Sequence, residues 1–374
     1  MKIIIAFDSF KGTLTAIEAC SIVSKAIKTK LPDADLVLKP MADGGEGTAQ
    51  AMIMARNGKW IPRRVMGPLP DMQVDAGFAW FEKEKEALVE MAKASGMELL
   101  SKEQLNPYKT TTYGTGQLIK AAIEYGAEKI LLAVGGSATV DGGVGAAKAL
   151  GWKFMDKNGE EIPLGGKYLD KIKKILKPSA ITLPLVEVLC DVNNPLCGRN
   201  GAARIYGPQK GATPEMVAQL DKGLKSFFVE VVKKEFDCDI DVAGAGAAGG
   251  LASGAIAFMD ATLVSGIDAI VKLIKLEEYL ADADWIITGE GKFDHQSLMG
   301  KAISGILKIA MKTNTKAAVL AGQVSVSPND YKKSGIDVVI SCKKPEMSLD
   351  YAISNCRQLL GLATCQFVQE HIKP

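Results

Sequence analysis

The chain has 374 residues, 47% hydrophobic and 24% charged, the composition of an ordinary soluble protein and too long for one comfortable core. Lysine and arginine total 45 against 43 acidic residues, a net charge of +2, and the basic residues are scattered. That balance argues against a general nucleic-acid or membrane-surface binder, which needs a basic excess.

The seven cysteines are odd in number and contain no Cys-x-x-Cys pair, which speaks against a zinc site or disulfide framework and fits a reducing cytoplasm. Residues 1–7 hold one lysine and an apolar run that Asp8 cuts short, so they read as a first strand and not a signal peptide. Nowhere does an apolar run reach the roughly 18 residues that a membrane span needs.

Lys2–Phe7 reads as a buried parallel strand. Thr15-Ala16-Ile17-Glu18 is a capping box opening a helix to about Lys30, with apolar residues at helical spacing from Ile17 to Ile27. A strand at Leu36–Lys39 and a helix at Gly47–Arg56 continue a βαβα rhythm, which implies a parallel sheet. Gly67-Pro68-Leu69-Pro70 marks a break, after which Val74, Ala76, Phe78 and Trp80 alternate as in a half-exposed antiparallel strand. Next come a helix around Gly116–Tyr125, the strand Lys129–Val134, a glycine-rich turn and a helix at Gly145–Leu150. Leu185–Cys190 reads as another buried strand, and Pro214–Phe236 as one long helix with proline in its first turn. From Asp284 the alternation returns: strands at Trp285–Thr288, Ala317–Leu320 and Val338–Ile340, a helix at Ala302–Met311, and a closing helix from Leu349 to about Glu370. The expected fold class is α/β, with a Rossmann-like parallel-sheet domain formed by both chain ends (1–68 and 270–374). A second α/β domain (69–269) is inserted between them.

Five segments set a carboxylate beside glycine or a small polar residue just after a strand: Asp8–Gly12, Asp43–Gly47, Gly135–Gly143, Asp191–Asn194 and Gly289–Asp294. Glycine lets backbone N–H groups approach an anion, and carboxylates hold a hard cation such as Mg²⁺. In α/β sheets such segments gather at the carboxyl ends of the strands, where ligands bind. Gly135–Gly143 offers amides with the Ser137 and Thr139 hydroxyls, leading into a helix whose dipole favours anions. Asp43 and Glu46 flank Gly44-Gly45, where a helix cap competes with metal or substrate binding. Lys11 could clamp a phosphate or a substrate carboxylate, or stand as a solvated surface lysine. Asp191 could cap a turn or join Asn193 and Asn194 as an oxygen ligand.

Other motifs lead nowhere. Gly244–Gly249 has dinucleotide-like G-x-G-x-x-G spacing, but Asp237–Asp241 before it is a poor core strand, so close helix packing is the expected role. No P-loop signature is present, and the two histidines, His295 and His371, support no Ser-His-Asp triad. Acid–base work then falls to carboxylates or lysines. Together the segments suit phosphoryl transfer, which needs cation clamps on phosphates and a carboxylate that orients a hydroxyl.

Asp8–Gly12, Pro40–Thr48, Gly135–Gly143, Cys190–Leu196, Gly207-Pro208-Gln209-Lys210-Gly211-Ala212 and Thr288–Ser297 together resemble the type 1 glycerate kinases, in the expected order. The resemblance implies an interdomain cleft, ATP and Mg²⁺ as cofactors, and formation of 2-phosphoglycerate from D-glycerate in glycerate, glyoxylate or sugar-acid catabolism. Departures are small: Phe7 and Arg199 stand where proline is usual, Val140 where asparagine is usual, and Lys292 where arginine is usual. Lysine keeps the charge of arginine but loses its bidentate fork.

On this reading Asp191, Lys11 and Asp294 are the catalytic candidates, with Asp191 as base, and Glu290, Asp294 and Asp191 are the metal candidates. Asp8, Ser9, Asp43, Gly44, Gly45, Gly136, Ser137, Thr139, Asn194, Gly289, Gly291 and Lys292 are the substrate- and phosphate-binding candidates. The expected partners are D-glycerate and ATP, with no nucleic acid or membrane, in a cytoplasmic monomer or homodimer. Two rivals stay open. One is a phosphatase with Asp191 as nucleophile, against which Asn193 stands where a second aspartate is wanted. The other is a small-anion binding protein, which would bind glycerate without consuming ATP.

Overall fold

The structure is a computed structural model that describes all residues except Asp43, Glu46, Ala180, Ile181, Asp237, Asp239, Asp241, Met299, Gly300, Lys301, Lys373 and Pro374. In chain order the strands are β1 (Lys2–Phe7), β2 (Asp35–Leu38), β3 (Lys59–Met66), β4 (Gln73–Phe81), β5 (Glu86–Glu90), β6 (Lys129–Ala133), β7 (Lys153–Met155), β8 (Lys174–Leu176), β9 (Leu185–Leu189), β10 (Thr262–Val264), β11 (Trp285–Gly289), β12 (Lys292–Phe293), β13 (Lys316–Ala321), β14 (Gln323–Val324) and β15 (Val338–Ser341). The chain forms two units, one from Met1–Asp43, Gln50–Asn57 and Ile267–Pro374, the other from Gly44–Ala49 and Gly58–Gly266.

The first unit carries a fully parallel sheet in the order β15-β13-β11-β1-β2. Chain order runs one way from β1 to β2, then reverses to β11, β13 and β15. The reversal is the switch point of a doubly wound sheet, and it falls between β1 and β11. Ile3, Ile5 and Phe7 pack with Ala19, Val23 and Ile27 of the helix Ala16–Lys30 and with Leu360 and Phe367 of the helix Cys356–His371. Ile4 and Ala6 point to the opposite face and are equally buried. Burial on both faces is why β1 reads as an unbroken apolar run. Each large side chain so buried contributes on the order of 1.5–3 kcal/mol. Thr15 starts the helix as expected: Thr15 N–H donates to Glu18 Oε2 at 2.9 Å and Glu18 N–H to Thr15 Oγ1 at 3.2 Å. The closing helix is two, Leu349–Ser354 and Cys356–His371, parted at Asn355.

The second unit carries a sheet in the order β10-β9-β6-β5-β4-β3, antiparallel from β3 to β5 and parallel from β5 to β10. β3 pairs with β4 from Lys59–Trp80 to Met66–Gln73, so the chain enters this sheet ahead of the break drawn at residue 68. The pairing lets Ile61 and Val65 bury their side chains beside Phe78 and Val74, which an isolated strand could not do. The parallel strands follow chain order without reversal. Their carboxyl ends therefore share one edge and carry in turn Glu90, the Gly135–Gly143 loop, Asp191 and Ser265.

The expected helix Pro214–Phe236 divides into an α-helix over Pro214–Lys225, a π-helix over Ser226–Val232 and a last short turn at Lys233–Glu235. The wider π turn buries both Phe227 and Phe228, neighbours in sequence. Phe227 then meets Phe154 edge-on at 5.8 Å and stacks on Phe258 at 6.1 Å. Among the described residues no helix is long and apolar enough to cross a membrane.

Candidate active site

At the switch point of the first unit the sheet ends on two loops side by side. Phe7 pairs with Gly289, and Asp8 N–H donates to Gly289 O at 3.0 Å. Position 289 admits no side chain: a Cβ there would sit 1.8 Å from Leu320 O. Asp8 Oδ1 accepts from Ser9 N–H at 2.7 Å, folding the carboxylate over its own turn. Lys11 is exposed in the tight turn closed by Leu14 N–H on Phe10 O at 3.1 Å. Gly291 lies against Phe10, so this turn and the Gly289–Asp294 loop touch. Glu290 Oε1 is out of solvent, whereas Lys292 is exposed and reaches Asp294 Oδ2 at 3.4 Å. Asp294 is held from both sides, its Oδ1 accepting from Gln296 N–H at 2.9 Å and its own N–H donating to Ser297 Oγ at 3.0 Å. The structure thus brings Asp8, Ser9, Lys11, Gly289, Glu290, Gly291, Lys292 and Asp294 together at the carboxyl ends of adjacent strands.

In the second unit, Gly44 and Gly45 lie on the end of β6. Gly135 N–H donates to Gly44 O at 3.3 Å, and a Cβ on Gly135 would come within 2.6 Å of Gly45 Cα. The same segment is tied down by Glu90, at the end of β5, whose Oε1 accepts from Ala49 N–H at 2.5 Å. Burial pushes the Glu90 carboxyl above its ordinary pKa, opposed by that N–H and by the Lys93 ammonium. Asp43 lies outside the described residues.

The Gly135–Gly143 loop differs from the expectation in one respect. The anion at the start of its helix is supplied by the chain itself. Buried Asp141 accepts from Thr112 N–H at 2.8 Å, Thr112 Oγ1 at 2.9 Å, Gly143 N–H at 3.1 Å and Gly145 N–H at 3.3 Å. Those amides are therefore not offered to a phosphate. Burial raises the pKa of Asp141, and the Thr112, Gly143 and Gly145 donors oppose the rise. Thr139 has no exposed surface, so its hydroxyl cannot touch a ligand; its carbonyl accepts instead from Lys210 Nζ at 2.8 Å. Lys210 Nζ also lies 2.6 Å from Ser137 Oγ. Only 1% exposed, Lys210 is pushed by burial down to a pKa of about 7, with Asp141 acting the other way. Gly136, beside Ser137, is exposed.

Asp191 is exposed at the end of β9, and its Oδ1 accepts from Gly266 N–H at 2.9 Å and Ser265 Oγ at 3.1 Å. Asn194 has both ends of its amide engaged, accepting from Tyr206 Oη at 2.7 Å and donating to Asn200 O at 2.9 Å. Among the described residues no group of three His, Cys, Asp or Glu side chains could hold a metal ion. Mg²⁺ does not ask for one, since it is commonly held by one or two carboxylates, water and substrate phosphates. The hard oxygens of Glu290 and Asp294 suit that donor set.

Lys210 and Glu90 escaped sequence reasoning as site residues. Lys210 stands between Gln209 and Gly211 in a segment quoted for its resemblance, and nothing local marks it as buried. Glu90 ends the run Glu-Ala-Leu-Val-Glu, whose closing acid after three apolar residues is the signal that could have found it.

The first unit, with carboxylates and lysines at a doubly wound switch point, is that of an α/β protein suited to anions and a hard cation, and the second unit by itself holds a glycine loop pinned by a buried lysine. The sequence matches the profile of the Glycerate kinase family over residues 3–371, and the chain belongs to that family. It is 43% identical to "Glycerate 2-kinase" of Escherichia coli K12 over 357 residues, 94% of this chain and 93% of that protein. It is 46% identical to "Glycerate kinase" of Haemophilus influenzae over 344 residues, 91% of this chain and 90% of the relative. A crystal structure of a protein assigned as glycerate kinase 2 from Salmonella typhimurium LT2 superposes with a TM-score of 0.87 at 38% identity, covering 99% of this chain and 97% of that one.

Proposed function

We propose that the chain is a cytoplasmic kinase that transfers the γ-phosphoryl group of ATP to the 2-hydroxyl of D-glycerate, releasing ADP and 2-phosphoglycerate. The observation that carries this reading is the similarity to the E. coli glycerate 2-kinase along 94% of the chain. Phosphoryl transfer asks a protein mainly for positioning and charge neutralisation, and the loops at the strand ends supply both. In this reading Lys11 and Lys292 neutralise phosphate or carboxylate oxygens. Glu290 and Asp294 are the proposed Mg²⁺ ligands, and the ion when bound would offset charge on the phosphates. Asp191, steadied by Gly266 and Ser265, takes the proton of the glycerate hydroxyl.

Coupled ADP release with D-glycerate, L-glycerate and related hydroxy acids tests the substrate, and NMR of the product distinguishes 2- from 3-phosphoglycerate. Turnover with ATP that is confined to D-glycerate, giving the 2-isomer, is the expected result; a 3-phospho product would overturn the regiochemistry. Asp191→Asn should lower kcat by about 10²–10⁴-fold with an unchanged melting temperature. Near-normal turnover in that variant would remove Asp191 as the base.

A further inference from the structure

Among the described residues Lys210 is the most deeply buried cation, and the phosphoryl transfer proposed for this chain gives it no task. Its ammonium nitrogen touches two groups of one loop: the Ser137 hydroxyl at 2.6 Å and the Thr139 carbonyl at 2.8 Å. The carbonyl can only accept, so one N–H of Lys210 is committed there in every protonation state. What varies is the bond to Ser137. A charged ammonium has only hydrogens to offer and donates to Ser137 Oγ, which leaves the hydroxyl proton to point elsewhere. A neutral amine has a lone pair and accepts from Ser137, which turns that proton inward. Ser137 is 6% exposed and follows Gly136, which is exposed, so the direction in which its hydroxyl points decides what an incoming ligand meets.

We propose that Lys210 is a positioning residue: by donating to Ser137 Oγ it turns the Ser137 hydroxyl proton toward an oxyanion of a substrate, either the glycerate carboxylate or an ATP phosphate. The proposal rests on the kinase reading above. The surroundings of Lys210 support it. Asp141 is the charged group acting on it, from the same loop. The segment crossing behind that loop contributes hydroxyls: Thr110 Oγ1 donates to Ala138 O at 2.8 Å, and Thr111 and Thr112 turn to Asp141. Exposed Lys109 belongs to that same segment. Gly211, the next residue, lies against Leu105 O, so Lys210 comes from a turn fixed in place. With its pKa depressed to about 7 by burial, Lys210 changes charge near neutrality, and a bound anion would draw its proton back.

The test is steady-state kinetics across pH on the full-length enzyme, with kcat/KM for D-glycerate measured at saturating ATP and the converse. In the wild type, kcat/KM for one of the two substrates should fall as pH rises through about 7, because the donating form of Ser137 is lost as Lys210 deprotonates. Ser137→Ala should raise the KM of that same substrate about 10–100-fold, change kcat less, and flatten that alkaline limb. Lys210→Met should reproduce the Ser137→Ala values at low pH. Whichever KM moves identifies the oxyanion as carboxylate or phosphate. If Lys210→Met does not fold, the pH profile of Ser137→Ala decides alone. Unchanged KM values and an unchanged alkaline limb in Ser137→Ala would overturn the proposal, with the kinase reading intact. A wild type that consumes no ATP with glycerate would overturn that reading instead.

Discussion

Burying an ammonium group costs stability unless partners offset the lost hydration, and Lys210 has two hydrogen bonds and a carboxylate nearby to do so. The linkage to pH has a definite sign. Unfolded, the amine holds its proton up to its ordinary pKa near 10.5; folded, it does so only up to about 7. Between those values the unfolded state carries the extra proton, so this residue makes stability rise with pH. The melting temperature of the wild type should therefore gain on that of Lys210→Met from about pH 7 to about pH 10. A constant difference would mean that Lys210 is not depressed. At this scale the sequence disclosed the groups that end apolar runs, such as Asp8, Asp191 and Gly289. It concealed Lys210, because a lysine in a short glycine-bounded turn looks the same whether it meets water or a loop packed over it.

Elements differ in how far they announce their ends. Thr15 caps its helix where the sequence places it, and the structure adds Thr213 as the cap of the helix that begins at Pro214, each accepting the N–H three residues on. No comparable mark separates Lys225 from the π-helix that follows, since the π turn answers to the space around Phe227 and Phe228. The Gly244–Gly249 run, whose spacing resembles a dinucleotide fingerprint, enters the segment Ala247–Met259 through left-handed backbone at Ala248, Gly249 and Gly250 before the helix proper, and this segment lies against the Gly135–Gly143 loop: Gly142 N–H donates to Gly249 O at 3.1 Å. Asp237, Asp239 and Asp241 before it lie outside the described residues. A Cβ on Gly254 would come within 2.3 Å of Gly142 O, a backbone atom that cannot swing aside. Gly254→Ala should therefore destabilise by about 1–3 kcal/mol in urea unfolding, although alanine is the better helix former. A stabilised variant would show that the helix and loop can part to admit the methyl group.

For the whole molecule, the apolar side chains fall into separate clusters, one built on β1 and the helices Ala16–Lys30 and Cys356–His371, another on the second sheet and the rings of Trp152, Phe154, Phe227 and Phe258. Scanning calorimetry should give a total enthalpy larger than the van't Hoff value, because two cores need not melt as one. Equal enthalpies would mean a single cooperative transition. The α/β class was legible from the alternation of runs, whereas the strand order was not, since pairing between distant segments leaves no local trace. β3 is the instructive case: its partner choice depends on a neighbouring hairpin strand and not on the helices before it.

The long reach of one pairing has a consequence during synthesis. β1 is made long before β11, its neighbour on one side: Trp285, the partner of Ile3, lies 282 residues further along the chain. At a ribosome's pace of roughly 5–20 residues per second, that flank of the nascent chain waits on the order of 15–60 s, greasy and unzipped. A polypeptide assembled in this sequence has reason to depend on a holdase, and slowing translation should lengthen that dependence.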